Sequence, residues 1–111
     1  MPYQPGPVHE VKATLFRVLG HPARVRILEL LRDGERSVGA LQEALRLDSS
    51  GTSQHLAALR RIGVVASRRD GTNVYYHVED DGVFDLLAAG RAIISRRLAT
   101  EQSLLHELES E

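Results

Sequence analysis

Apolar positions recur at intervals of three and four along most of this chain, and each run stops at a Gly, a Pro or a turn cluster. Val8, Val11, Leu15, Val18 and Leu19 form the first stripe, with Phe16 beside it, and Gly20 ends the helix they predict. His21-Pro22 restarts the chain, Pro22 being suited to the first turn of a second helix. Val25, Ile27, Leu28 and Leu31 give that helix its buried side, and Arg32-Asp33-Gly34 ends it. Arg24 sits near its start, where a cation gains nothing from the helix dipole, so a carboxylate or phosphate partner is expected to hold it there. Ser37 caps a short third helix with Val38, Leu41, Ala44 and Leu45 at helical spacing.

Leu47-Asp48-Ser49 then turns into the stretch around which the chain is organised, Asp48 to Gly63. Capping residues open it and a Gly closes it, which predicts a fourth helix. At about 100° per residue its side chains sort into two faces. Thr52, His55, Leu56, Leu59 and Ile62 fall on one, suited to a core. Ser50, Ser53, Gln54, Ala57 and Arg61 fall on the other, which holds no large apolar group. Hydroxyls and an amide near a helix N-terminus suit the base edges of a major groove, and an Arg suits a phosphate. Taken alone, the same stretch also fits an ordinary amphipathic surface helix.

After Gly63 the pattern becomes strand-like. Val64 to Arg69 and Val74 to Val78 are rich in β-formers and flank Asp70-Gly71-Thr72-Asn73, a hairpin turn. Two short helices joined by a tight turn form a helix-turn-helix, and a basic hairpin behind them is a wing. Arg68 or Arg69 is the expected wing contact with backbone or minor groove, strand alternation sending them to opposite faces. A last helix, about residues 80–108, opens at Asp80-Asp81, which can cap it, and repeats Val83, Leu87, Gly90, Ile94, Leu98, Leu105 and Leu108. So long an apolar face at the end of a small domain calls for a partner helix from a second subunit, together with the first helix. The predicted architecture is mainly α with a small β-hairpin: a winged helix-turn-helix of four helices, two strands and a fifth helix, homodimeric through its first and last helices. It occupies residues 8–111, behind a flexible arm, residues 1–7, that holds three prolines and a glycine.

Composition narrows the chemistry. The 111 residues are 42% hydrophobic but only 5% aromatic, enough for one domain with an aliphatic core. There is no Cys, so disulfides, thiolate metal sites and a Cys nucleophile are excluded. No apolar run approaches the roughly 18 residues a bilayer span needs, and no signal-peptide pattern is present, so a cytoplasmic protein is expected. The net charge is −1, yet Lys12 to Arg69 holds eleven bases against five acids, and Glu79 to the end holds eight acids against three bases. A basic middle with an acidic end suits a polyanion-binding unit joined to something that does not touch the polyanion.

Three blocks then combine in order and spacing. They are Phe16 to Leu28 (FRVLGHPARVRIL), Thr52 to Arg60 (TSQHLAALR), and Gly63-Val64-Val65 continuing through Arg68 to Tyr76 (RRDGTNVYY). With these the chain resembles the ArsR/SmtB family of bacterial winged-helix repressors from about Val11 to Ile94. The resemblance implies a homodimer that represses transcription at an inverted-repeat operator and is released by a small effector. It also implies that residues matching Ser49, Ser50, Ser53 and Gln54 read the operator. Metal-sensing relatives carry cysteines in the third helix, where this chain has Arg36-Ser37-Val38-Gly39-Ala40-Leu41. Their other metal site, on the last helix, matches Asp80, Gly82, Ile93 and Arg96, or Asp85, Leu87, Leu98 and Glu101, neither with a His. No metal or other cofactor is therefore expected.

The expected function is a sequence-specific DNA-binding transcriptional regulator, a repressor acting as a homodimer on double-stranded operator DNA, with an unidentified small-molecule effector and no membrane contact. Ser50, Ser53 and Gln54 would read bases, Ser49 and Gly51 would lie close to the backbone, and Arg61, Arg68 and Arg69 would bind phosphate or minor groove. An enzyme is disfavoured, because Ser53 and His55 lie about 200° apart on one helix and cannot act as nucleophile and base. A winged-helix protein-interaction module without DNA binding is the rival class. A metal sensor using His9 and His106, near the free ends of the first and last helices, is the other alternative.

Overall fold

The computed structural model describes residues 7–111, so the expected N-terminal arm, apart from Pro7, lies outside the described residues. In chain order the elements are α1 (Val8–Leu19), α2 (Pro22–Leu30), β1 (Arg36–Ser37), α3 (Val38–Leu45), α4 (Ser49–Arg61), β2 (Val65–Asp70), β3 (Asn73–Val78) and α5 (Gly82–Ser110). The chain divides after Asp80 into two units, the winged helix-turn-helix and α5.

Side chains define the helix starts. The His21 Nδ1 accepts from the Ala23 N–H at 3.1 Å, the Ser37 Oγ from Ala40 at 3.1 Å, and the Asp48 carboxylate from Gly51 at 2.7 Å. Each satisfies a backbone donor that the helix leaves unpaired. The last cap also explains Gly51, because a Cβ there would lie 3.0 Å from the Asp48 carboxylate oxygen. The helix-turn-helix bend is made by Arg46 in the left-handed region (φ 55, ψ 40), its N–H donating to carbonyls of α3.

The core of this unit is aliphatic, as the composition requires. Ile27 and Leu28 of α2, Leu41 of α3, and Leu56 and Leu59 of α4 are wholly buried, with Leu19, Leu31, Val64, Val65 and Tyr76 around them. Burying each large aliphatic side chain contributes about 1.5–3 kcal/mol. α4 packs on α1, α2, α3 and β2, so its apolar face is covered from several sides.

The sheet departs from expectation by one strand. β3 is central, with β2 on one side and β1 on the other, all antiparallel. β1 has two residues, paired as Arg36 with Tyr76 and Ser37 with Tyr75. A strand this short has no period of its own, and only its pairing to β3 defines it. The β2–β3 hairpin closes on the Asp70–Asn73 pair, leaving a two-residue loop whose first member, Gly71, takes φ +62.

α5 begins two residues later than expected and ends at Ser110. Asp81 holds its N-cap position but makes no side-chain cap, because its backbone is already helical (φ −63, ψ −16) rather than extended. The Phe84 N–H donates instead to the Asp81 carbonyl at 3.0 Å. Its 29 residues span about 44 Å. Ile93, Ile94, Leu98, Leu104, Leu105 and Leu108 are all more than half exposed. Among the described residues, no helix is long and apolar enough to cross a membrane.

Thr52, on the inner face of α4, is fully buried and its hydroxyl has no hydrogen-bond partner. An isosteric methyl removes that desolvation cost without opening a cavity. Thr52→Val is expected to raise stability by about 1 kcal/mol, read as a higher denaturant midpoint at unchanged slope. A lower midpoint would mean the hydroxyl is satisfied in solution.

Candidate nucleic-acid interface

The two faces of α4 separate as its periodicity predicts. Thr52, Leu56 and Leu59 are buried and His55 and Ile62 half-buried, while Ser49, Ser50, Ser53, Gln54 and Arg61 are exposed. Ala57 is half-buried, and Ala58, on neither predicted face, is buried. The exposed groups near the N-terminal end are three hydroxyls and an amide, with Arg60 and Arg61 in the last turn. The Arg60 guanidinium reaches towards the Ser67 hydroxyl at 3.5 Å. Arg61 stays exposed at a helix end whose dipole favours cations.

Strand register separates the two wing arginines. Arg68 stands opposite Tyr75, and Arg69 opposite Val74. The Arg68 guanidinium lies 4.6 Å from the Tyr75 ring centre and forms a bidentate pair with the Glu35 carboxylate, its Nε–H 2.9 Å from Oε2. Glu35 immediately precedes β1, so this pair spans the sheet across β3. The Arg68 hydrogen bond lowers the Glu35 pKa, and the same bond raises that of Arg68. Arg69 is exposed on the opposite face, the one that carries Val74 and Tyr76 towards the helices.

An open groove of about 360 Å³ lies on that second face. Ser53 of α4 forms part of one wall, Gln42 of α3 another, and Thr72 and Asn73 at the hairpin tip a third. α4, α3 and the hairpin thus present one continuous, mainly polar surface.

A family model described as bacterial regulatory protein, arsR family, matches residues 21–67, from α2 into β2. The HTH-type transcriptional regulator Rv0081 of Mycobacterium tuberculosis is 45% identical over 103 residues, covering 92% of this chain and 90% of the relative. The chain belongs to the arsR family of bacterial regulatory proteins. The crystal structure of Rv0081 superposes with a TM-score of 0.79, covering 87% of this chain and 98% of that one. A homodimeric winged helix-turn-helix DNA-binding domain from Mycobacterium bovis, Mb0332, gives a TM-score of 0.73 at 31% identity, covering 88% and 94%. The biofilm growth-associated repressor of Agrobacterium fabrum is 37% identical over 93 residues, covering 80% of each chain. This arsR-family chain is accordingly a winged helix-turn-helix protein of a transcriptional-regulator family.

Arg24, expected to be held by a carboxylate or phosphate, turns inward in this arsR-family fold. Its Nε–H donates to His55 Nδ1 at 3.1 Å and its Nη1 to the Val18 carbonyl at 3.1 Å. It joins α1, α2 and α4. The charge is tolerated at the start of α2 because these acceptors, absent from the local sequence, arrive from two other helices. His55 is packed and hydrogen-bonded, as its inward position predicts, and its ring lies 4.4 Å from that of His21. Both histidines accept a hydrogen bond at Nδ1, His21 from the Ala23 N–H and His55 from the Arg24 guanidinium. Glu35 and Tyr75, which occupy Arg68, went unread in the sequence; only the pairing of β1 with β3 brings Glu35 near. Among the described residues no group of three His, Cys, Asp or Glu side chains could hold a metal ion. His9 on α1 and His106 on α5 are exposed.

The His55 pKa is lowered by burial first, and then by His21 and Arg24. Between that lowered value and 6.5 the unfolded chain binds more protons than the folded one. Stability is therefore full above pH 6.5, falls as pH drops below it, and stops falling once the folded His55 is itself protonated. His55→Gln, which cannot titrate but can still accept from Arg24, is expected to flatten this part of the pH–stability curve. Denaturant midpoints across the window check it, and an unchanged curve would locate the dependence in another group.

Proposed function

We propose that the protein is a transcriptional repressor of the cytoplasm that binds an inverted-repeat operator as a homodimer. The observation that carries the reading is α4: one face is locked in the core, and the opposite face presents Ser50, Ser53 and Gln54 to solvent. A helix fixed in this way holds short polar groups at a defined depth, as reading base edges in a major groove requires. Ser50, Ser53 and Gln54 read bases, and Ser49 and Gly51 lie against the backbone at the helix start. Arg61 and Arg69 bind phosphate. Arg68 stays with Glu35 and Tyr75, so it stiffens the wing more than it contacts DNA. The repressor names among the relatives support the direction of control.

Residues 8–111 act as one dimeric unit behind the N-terminal arm. The apolar faces of α1 (Val8, Val11 and Phe16) and α5 are exposed in the single chain, and a second copy covers them. The homodimeric M. bovis domain supports this arrangement. Release from the operator comes from a ligand other than a metal ion, from a change in expression level, or does not occur. Soft ions need thiolates, and the chain has no Cys; the matched positions on α5 offer no imidazole.

Selection of bound fragments from genomic DNA tests the function directly, and a palindromic consensus is the expected result. Gln54→Ala is then expected to cost about 1–3 kcal/mol at one base pair of each half-site, with little change in non-specific binding. Wild-type affinity in a folded Gln54→Ala protein would reject the assigned face.

The wing gives a separate expectation. Arg69→Ala lowers the slope of log K against log salt by about one for each phosphate it no longer neutralises, on any duplex. Arg68→Ala changes that slope less, because its charge is already paired with Glu35. Equal slopes in wild type and Arg69→Ala would remove Arg69 from the interface.

A further inference from the structure

We propose that the groove between α3, α4 and the β2–β3 hairpin is an uncharged seat for the sugar-phosphate backbone of the operator, with Gln42, Thr72 and Asn73 as its donors. The inference rests on the DNA-binding reading above. At about 360 Å³ the groove is open rather than enclosed, and no charged side chain lines it. Ser53 belongs both to its wall and to the base-reading face of α4. A nucleic acid strand is continuous, so a duplex that offers its bases to Ser53 must carry its backbone across the adjoining gap towards the hairpin. Phosphate oxygens accept hydrogen bonds from amide and hydroxyl groups as well as from cations. Gln42, Thr72 and Asn73 supply such groups from two sides, and Val38 and Val74 give the deoxyribose an apolar floor. An anionic small ligand has no cation here to hold it, and a metal ion has no carboxylate or imidazole among the lining residues.

Neutral donors leave a signature that arginines do not. Removing one breaks a hydrogen bond without changing the number of counterions released, so affinity falls while the salt slope stays fixed. The loss is also shared by every sequence, because the backbone is the same in all of them.

The test is a titration of a labelled random-sequence duplex at several salt concentrations. It compares wild type with Gln42→Ala, Asn73→Ala and the double variant, each checked for an unchanged thermal midpoint. Gln42→Ala keeps the test decisive, since Asn73 also pairs with Asp70 to close the hairpin. Each single variant is expected to bind about tenfold more weakly, at the wild-type salt slope. Wild-type affinity in Gln42→Ala and in the double variant overturns the seat and leaves the DNA-binding reading standing. A loss with a shallower salt slope also overturns it, because that is the mark of a cation. A wild-type protein that binds no duplex overturns the reading itself, and the seat with it.

Discussion

The burial of Thr52, Leu56 and Leu59 against the other helices is the constraint on which the rest of the winged unit depends. An α-helix has one orientation about its axis in which an apolar stripe is covered, and that orientation decides what faces out. Here it decides that Ser50, Ser53 and Gln54 are exposed. Rotation by one residue, about 100°, would bury polar groups and expose leucines, at a cost of several kcal/mol. The candidate reading surface is thus a by-product of core packing, held by groups that never touch a ligand. Asp48 sharpens it further, since its cap on Gly51 fixes where the helix begins.

Charge is divided between structural and exposed uses in a way that composition does not reveal. Arg24 links three helices through His55 and the Val18 carbonyl. Arg68 is spent within the sheet, between the Tyr75 ring and Glu35. Arg61 and Arg69 remain exposed. The basic excess over residues 12–69 therefore overstates the cation available to a polyanion. The proposed reading of the operator accordingly places more weight on uncharged side chains, whose hydrogen bonds depend on geometry and little on salt.

α5 follows different physics from the rest. Its apolar residues from Ile93 to Leu108 are exposed in the single chain, although their spacing is as regular as that of any buried helix. A 29-residue helix supports its own backbone hydrogen bonds, but it gains little from burial without a second surface. The Arg97–Glu101 pair at 3.1 Å is a surface contact of the kind that contributes only a few tenths of a kcal/mol. Within the single chain, the apolar stripe of α5 from Ile93 to Leu108 is therefore left without the burial that its spacing would allow.

Helix order, the two faces of α4, the hairpin and the family resemblance were all legible in the sequence. Each depends on local spacing, caps and turn residues, which act over a few positions. Leu56 and Ser53 declare their faces by counting along the helix, and Asp70 to Asn73 declares a turn by residue type. Three things were decided only by tertiary structure. β1 exists because Arg36 and Ser37 meet β3, and two residues have no pattern to announce a strand. Glu35 meets Arg68 across 33 positions, and His55 meets Arg24 across 31, both beyond any local rule. The groove that gathers Gln42, Ser53 and Asn73 belongs to no single element. Periodicity fixes which way a side chain points on its own helix or strand; only packing between elements determines what it points at.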